Sequence, residues 1–124
     1  MKICFDLDNT LCHGYPYEDA KPFPKAAEML QRLKALGHTI VIYTARGMKS
    51  RGGDVGRIMA EIAPLTFRQL DEWGFPYDAA YFGKPDCDIF LDDKASNMIS
   101  YDQVFDLVGR MSLASEPLTG SCCE

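Results

Sequence analysis

In the stretch CFDLDNTL at residues 4–11, two aspartates, Asp6 and Asp8, stand two apart where a short apolar run gives way to a turn. Two more, Asp92 and Asp93, close a second apolar run, IFLDD, while Thr44 follows a third run and Lys84 sits between Gly83 and Pro85. Carboxylates gathered at one place repel and raise one another's pKa, so such a set calls for cations, one from Lys84 and one from a divalent metal. Donors that are all oxygen favour Mg²⁺ over zinc, and Mg²⁺ keeps waters and reaches toward a substrate phosphate. A carboxylate is also a competent nucleophile toward phosphorus. Attack by one acid gives an aspartyl-phosphate; the second protonates the leaving oxygen and then activates the water that hydrolyses the intermediate. Mg²⁺, Lys84 and the Thr44 hydroxyl would meet the charge spread over the equatorial oxygens.

Those residues converge only if the chain supplies strands that end together. Residues 2–8 fit a buried strand, with Ile3, Phe5 and Leu7 on one side and the small Cys4 on the other. A loop rich in Gly, Pro and Tyr runs from His13 to Pro24. KAAEMLQRLKALG then reads as a helix, with Ala26, Ala27, Leu30, Leu33, Lys34 and Leu36 near helical spacing and Gly37 as its stop. Thr39 to Tyr43 is a β-branched run, so strand, helix and strand form a βαβ unit of a parallel sheet. Lys49 to Gly56 reads as a mobile loop, and Arg57 to Ala63 suits either a short helix or an irregular packed segment. Pro64 to Trp73 reads as a helix, Tyr77 to Phe82 and Asp88 to Leu91 as strands, and Tyr101 to Met111 as a last helix. The expectation is a single doubly wound, Rossmann-like α/β domain over residues 1–113 with a flexible tail, 114–124, and a ligand site outside the carboxyl ends of the strands.

Composition narrows the function classes. A chain of 124 residues suits one domain with a proper core. Its net charge of −5 argues against a nonspecific nucleic-acid binder, and no apolar run approaches the length of a membrane span. MKICFDLD carries no leader pattern, and the five cysteines lack the paired spacing of zinc or redox motifs, so reduced thiols in a cytoplasmic protein are expected. His13 and His38 read as surface residues.

Taken together, D-x-D-N-T-L after one strand, I-V-I-Y-T-A-R after a second, G-K-P, and I-F-L-D-D resemble the four ordered motifs of the haloacid dehalogenase superfamily of phosphohydrolases, over roughly residues 1–100. The resemblance implies Asp6 as nucleophile and Asp8 as general acid/base. It implies Thr44, and Ala45 beside it, as phosphate binders, Lys84 as clamp on the phosphoryl group, and Asp92 as Mg²⁺ ligand with Asp93 helping. The metal would also take the Asp6 side chain and the Asp8 backbone carbonyl. Asn9 stands where the family often has Gly, and Asn tolerates the same turn conformations. Neither interval between motifs is long enough for a cap domain, so the small capless type is implied.

A capless site must recognise substrate with loops or with a partner subunit, so a homo-oligomer is compatible with the reading. Tyr15 and Tyr17 in the first loop are candidates, with Arg46, Lys49 and Arg51 for a second anionic group or the sugar part of a substrate. Solvated charges on a loop explain Lys49 and Arg51 equally well. Ser96 and Asn97 fit either a contact to the metal loop or a helix N-cap. The resemblance to short capless members of the family implies a small phosphorylated metabolite such as a sugar phosphate as substrate, against nucleic-acid ends or a phosphoprotein within the same chemistry. Outside it stand a receiver-like switch, whose acid pair comes near the start and whose Lys comes last, and an inactive binding module of the same fold.

Overall fold

The computed structural model describes residues 1–97 and 100–113. Three parallel strands form its sheet, β1 (Lys2–Asp6), β4 (Thr39–Thr44) and β5 (Ala79–Phe82), with β4 in the middle. Two short strands, β2 (Cys12–His13) and β3 (Lys21–Pro22), pair antiparallel within the loop that follows β1. Among the described residues the α-helices are α1 (Ala26–Ala35), α2 (Val55–Glu61), α3 (Ala63–Glu72) and α4 (Tyr101–Leu113), with a 3₁₀ turn at Tyr17–Asp19.

The register explains the core. Ile3 lies opposite Ile40, Phe5 opposite Ile42, and Ile42 opposite Ala80, so successive pairs on one face of the sheet present apolar side chains to the helices. Against them α1 buries Ala26, Met29, Leu30 and Leu33, the stripe that helical spacing produces. Leu70 of α3 and Val104 and Val108 of α4 extend the same cluster. Leu36, expected on this face, falls beyond the last helical turn and is exposed. Gly37 ends α1 at φ +91°, where its N–H donates to Lys34 O and that of His38 to Leu33 O, a left-handed turn that only glycine adopts without strain.

Asp78 ties α1 to the sheet. Its carboxylate takes both Lys34 Nζ, at 2.8 Å, and the Ile40 N–H, at 2.8 Å, where β4 begins. The Lys34 hydrogen bond, followed by that from Ile40, holds this carboxyl below its ordinary range.

Two segments differ from the sequence expectation, 49–56 and 88–91, and a third, 57–63, takes one of the two forms it allowed. Residues 49–53 are a run of turns, with bonds such as Arg51 N–H to Gly47 O and Gly53 N–H to Met48 O, and α2 begins at Val55, inside the expected loop. The segment 57–63 resolves as α2 and the start of α3; Asp54 caps α2 by accepting the Arg57 N–H, and Ile58 is buried. The second difference matters most for the site. Residues 88–91 form no strand, and Ile89, Phe90 and Leu91 are 70%, 49% and 89% exposed. Only three apolar residues stand there, between Asp86 and Asp88 on one side and Asp92 and Asp93 on the other. The tail expected from residue 114 lies outside the described residues.

Candidate active site

β1 delivers Asp6 at its carboxyl end, opposite Tyr43, and a tight turn then lifts Asp8 above the sheet. Leu7 makes the turn: its carbonyl accepts the N–H groups of Thr10, Leu11 and Cys12 at 3.2, 2.8 and 3.3 Å, and Leu7 and Leu11 are anchored fully buried in the core. Asn9 adopts φ +65°, the left-handed turn conformation expected of it. Both aspartates line a pocket of about 630 Å³ with Ala45, Lys84, Lys49 and Tyr15.

The two carboxylates have different surroundings. Asp6 receives Lys84 Nζ at 3.1 Å on one oxygen and the Thr10 hydroxyl at 3.3 Å on the other. Lys84 follows the end of β5, and its own N–H donates to Thr44 O at 3.2 Å, so the middle strand fixes where the ammonium starts. Its head also lies 4.8 Å from the centre of the Phe90 ring. Asp8 instead faces Arg46, whose Nε lies 3.0 Å from one oxygen and whose Nη2 lies 3.0 Å from the other. Beside them the Cys12 thiol, 3.5 Å from Asp8, is pushed up to about 12, chiefly by burial and then by the Asp8 charge.

The loop after β1 forms one wall. Gly14, Tyr15 and Tyr17 line the pocket, and Tyr15 meets Tyr17 edge-on with ring centres 5.6 Å apart. Tyr17 is pinned twice: its hydroxyl accepts the Gly47 N–H at 3.3 Å, and its carbonyl accepts Gln69 Nε2 at 2.6 Å.

Of the residues expected at the site, Asp6, Asp8, Ala45, Arg46 and Lys84 come together and others do not. Thr44 is 1% exposed and absent from the pocket wall; its hydroxyl accepts the Arg46 N–H at 3.0 Å and so shapes the turn behind the site. Arg51 pairs with Glu61 at 2.9 Å, whereas Lys49 reaches the pocket. Asp92, Asp93 and Asn97 lie on an exposed segment off the pocket wall, because residues 88–91 do not extend the sheet beside β1. There Asp92 accepts the Lys94 N–H at 2.7 Å, a bond that, with one to Asp93, keeps its carboxyl low. The cap of α4 is Ser100, which accepts the Gln103 N–H, and neither Ser96 nor Asn97. His13, exposed and stacked on Phe23, and His38, half-buried beside the terminal amine, both lie off the pocket wall.

Thr10, Cys12, Thr66 and Gln69 are the members that sequence reading missed. Thr10 stood in the quoted motif without a role. Thr66 and Gln69 had a visible signal: polar residues three apart on the buried stripe of α3, beside Ala63 and Leu70, where burial requires hydrogen-bonding partners.

For a metal, the Asp6, Asp8 and Asp86 carboxylates line the pocket together with the Cys87 thiol, and the carboxylate oxygens suit a hard cation such as Mg²⁺, which needs only one or two of them alongside substrate and water. Among the described residues, however, no three His, Cys, Asp or Glu side chains are grouped to hold an ion.

A parallel sheet with an acid pair at the carboxyl end of its first strand and a lysine after its last is the framework of a hydrolase of the haloacid dehalogenase-like type. Comparison with known proteins agrees. The family model described as haloacid dehalogenase-like hydrolase matches residues 3–52. A crystal structure of a structural-genomics target from Vibrio cholerae is 31% identical, with a TM-score of 0.75 over 88% of this chain and 97% of that one. A search of curated proteins gives no match. The chain belongs to the haloacid dehalogenase-like hydrolase family.

Proposed function

We propose that the protein is a Mg²⁺-dependent phosphomonoesterase acting through an aspartyl-phosphate on a small phosphorylated metabolite such as a sugar phosphate. The observation that carries the reading is the pairing at the first strand's end. Asp6 faces the pocket with Lys84 Nζ at 3.1 Å, and Asp8 stands two residues further on the same wall.

Asp6 attacks phosphorus, and Lys84, already beside it, draws the phosphoryl oxygens into line and offsets their charge. The Thr10 hydroxyl, bonded to the other Asp6 oxygen, orients the carboxylate for that approach. Asp8 gives a proton to the departing oxygen and later takes one from the water that opens the aspartyl-phosphate. The backbone at Ala45, on the pocket wall, meets the phosphoryl group opposite Lys84. Bound Mg²⁺, held by the Asp6 side chain and the Asp8 carbonyl, would neutralise phosphoryl charge. The pocket, about 630 Å³, has the volume of a small-molecule site, and Tyr15, 81% exposed at its mouth, offers a face for a sugar ring.

The test is a screen of phosphate esters, with Mg²⁺ and with chelator, on the natural chain and on Asp6→Asn. The expected result is phosphate release that needs Mg²⁺ and disappears in the variant. Turnover that survives Asp6→Asn removes the nucleophile from the proposal.

A further inference from the structure

Arg46 is 1% exposed, the largest fully buried side chain described in the protein. A guanidinium has five N–H donors and no acceptor. Here every one is engaged. Nε points at both Asp8 oxygens, at 3.2 and 3.0 Å; Nη1 donates to Thr66 Oγ1 at 3.2 Å and Gln69 Oε1 at 2.6 Å; Nη2 donates to Asp8 Oδ1 at 3.0 Å and Cys12 Sγ at 3.7 Å. The Tyr17 ring covers the group, its centre 4.8 Å from Cζ. Nothing is left to bind a substrate anion, the role that sequence position suggested for this residue.

The partners of Arg46 are themselves fixed. Thr66 Oγ1 donates onward to Ile62 O at 3.1 Å, leaving its lone pair for Arg46. Gln69 presents Oε1 to Arg46 and Nε2 to Tyr17 O, an orientation of the amide set by those two partners. A chain of bonds therefore runs from α3 through Gln69 to Arg46 and on to Asp8. Asp8 needs such support, since it lies beyond the last residue of β1.

We propose that Arg46 is a positioning residue that fixes the Asp8 carboxyl for proton transfer, and that Gln69 sets Arg46. The proposal rests on the phosphatase reading and deepens it, because it identifies what makes Asp8 competent. A lysine cannot replace the fork: one ammonium cannot satisfy two carboxylate oxygens, Thr66 and Gln69 in these directions.

The consequence is a defect that depends on the leaving group. Nitrophenolate departs without a proton, whereas the alkoxide of a glycerol phosphate must be protonated as it leaves. The experiment follows a first turnover, with enzyme in excess, of p-nitrophenyl phosphate and glycerol phosphate by Arg46→Lys, Gln69→Leu, Asp8→Asn and the Asp8→Asn/Arg46→Lys pair. Circular dichroism verifies folding, and Gln69→Leu, which keeps the buried cation, carries the test should Arg46→Lys not fold. Arg46→Lys is expected to slow glycerol release about 100-fold and nitrophenolate release less than about tenfold. Gln69→Leu should show the same pattern more weakly, KM from a steady-state series alongside should hold for both esters, and the pair should be no slower than Asp8→Asn alone. Equal slowing of both esters, a rise in KM alone, or additive losses in the pair would overturn the proposal. Asp6→Asn separates the two levels: if it still hydrolyses the esters, or the natural chain hydrolyses neither, the phosphatase reading fails and this inference falls with it.

Discussion

Lys84 Nζ lies 3.1 Å from Asp6 Oδ1, a contact that spans from the end of β5 to the end of β1 with β4 between them. The backbone N–H of Lys84 is bonded to Thr44 O, the last residue of that middle strand. The ammonium is thus placed by the sheet itself, and a placed cation lowers a barrier without reorganising.

Lys84→Met should therefore lower kcat/KM on a phosphate ester by about 10²–10³ while leaving the fold intact, the range seen when one preorganised charge-stabilising donor is removed. Inhibition by inorganic phosphate should weaken in parallel. Steady-state kinetics with phosphate as product inhibitor measure both. Activity close to that of the natural chain would mean that the lysine only balances Asp6 in the resting protein.

The pairing of Asp78 with Lys34 gives a stability prediction with a definite sign. The folded protein holds the Asp78 carboxyl below its ordinary value of 3.8, through Lys34 first and the Ile40 N–H second. Its contribution is complete above that value and is lost as pH falls through the lower, folded one. Asp78→Asn should melt below the natural chain at pH 7, and the gap should narrow toward pH 3. Thermal melts of both proteins across that range give the answer; a gap that is constant or widens in acid would show that the carboxylate charge is not what matters.

How much of this was legible in the sequence depended on whether a feature was local. Asp6, Asp8 and Lys84 could be placed because each follows an apolar run at a strand end, and strand ends of a parallel sheet converge. The α1 stripe and its Gly37 stop followed from spacing and backbone chemistry alone. Residues 88–91 had the apolar content of a strand, yet they form none and lie exposed, an outcome that a residue pattern alone does not decide. Arg46 was assigned by its neighbours in the chain to substrate, whereas its environment comes from Thr66 and Gln69, 20 and 23 residues further on. Thr44 likewise looked like a wall residue until the turn after β4 drew its hydroxyl inward.

The cysteines should separate by reactivity. Thiolate is the nucleophile, so a thiol with its pKa pushed up to about 12 is nearly inert at pH 8, with about one group in 10⁴ ionised. Cys12 should escape iodoacetamide in the folded protein and react only in denaturant. Among the cysteines of the described residues, Cys87, exposed on the pocket wall, should label first, with Cys4, whose thiol burial also raises, behind it. Peptide mass spectrometry over a time course reads the order. Labelling of Cys12 in the native protein at the rate of Cys87 would show that the cluster around Asp8 opens.

Gly47, next to Arg46, combines two constraints that can be measured apart. Its φ is +80°, and a Cβ there would meet Ile58 Cγ1 at 2.9 Å and Ile62 Cγ1 at 3.1 Å, both buried side chains of the α2–α3 junction. Alanine at a left-handed position costs about 1–2 kcal/mol from the backbone alone, and overpacking adds about 1–3 kcal/mol. Gly47→Ala should thus be destabilised by about 2–5 kcal/mol, the sum of those terms. Ile58→Ala removes the Cγ1 that a Cβ at position 47 would meet, so in the Gly47→Ala background it should recover part of the overpacking term, although alone it costs about 2–5 kcal/mol. Urea unfolding of the four proteins closes the cycle. A coupling energy of zero would place the whole cost in the backbone, and a loss within the range of a surface substitution would mean that neither constraint holds.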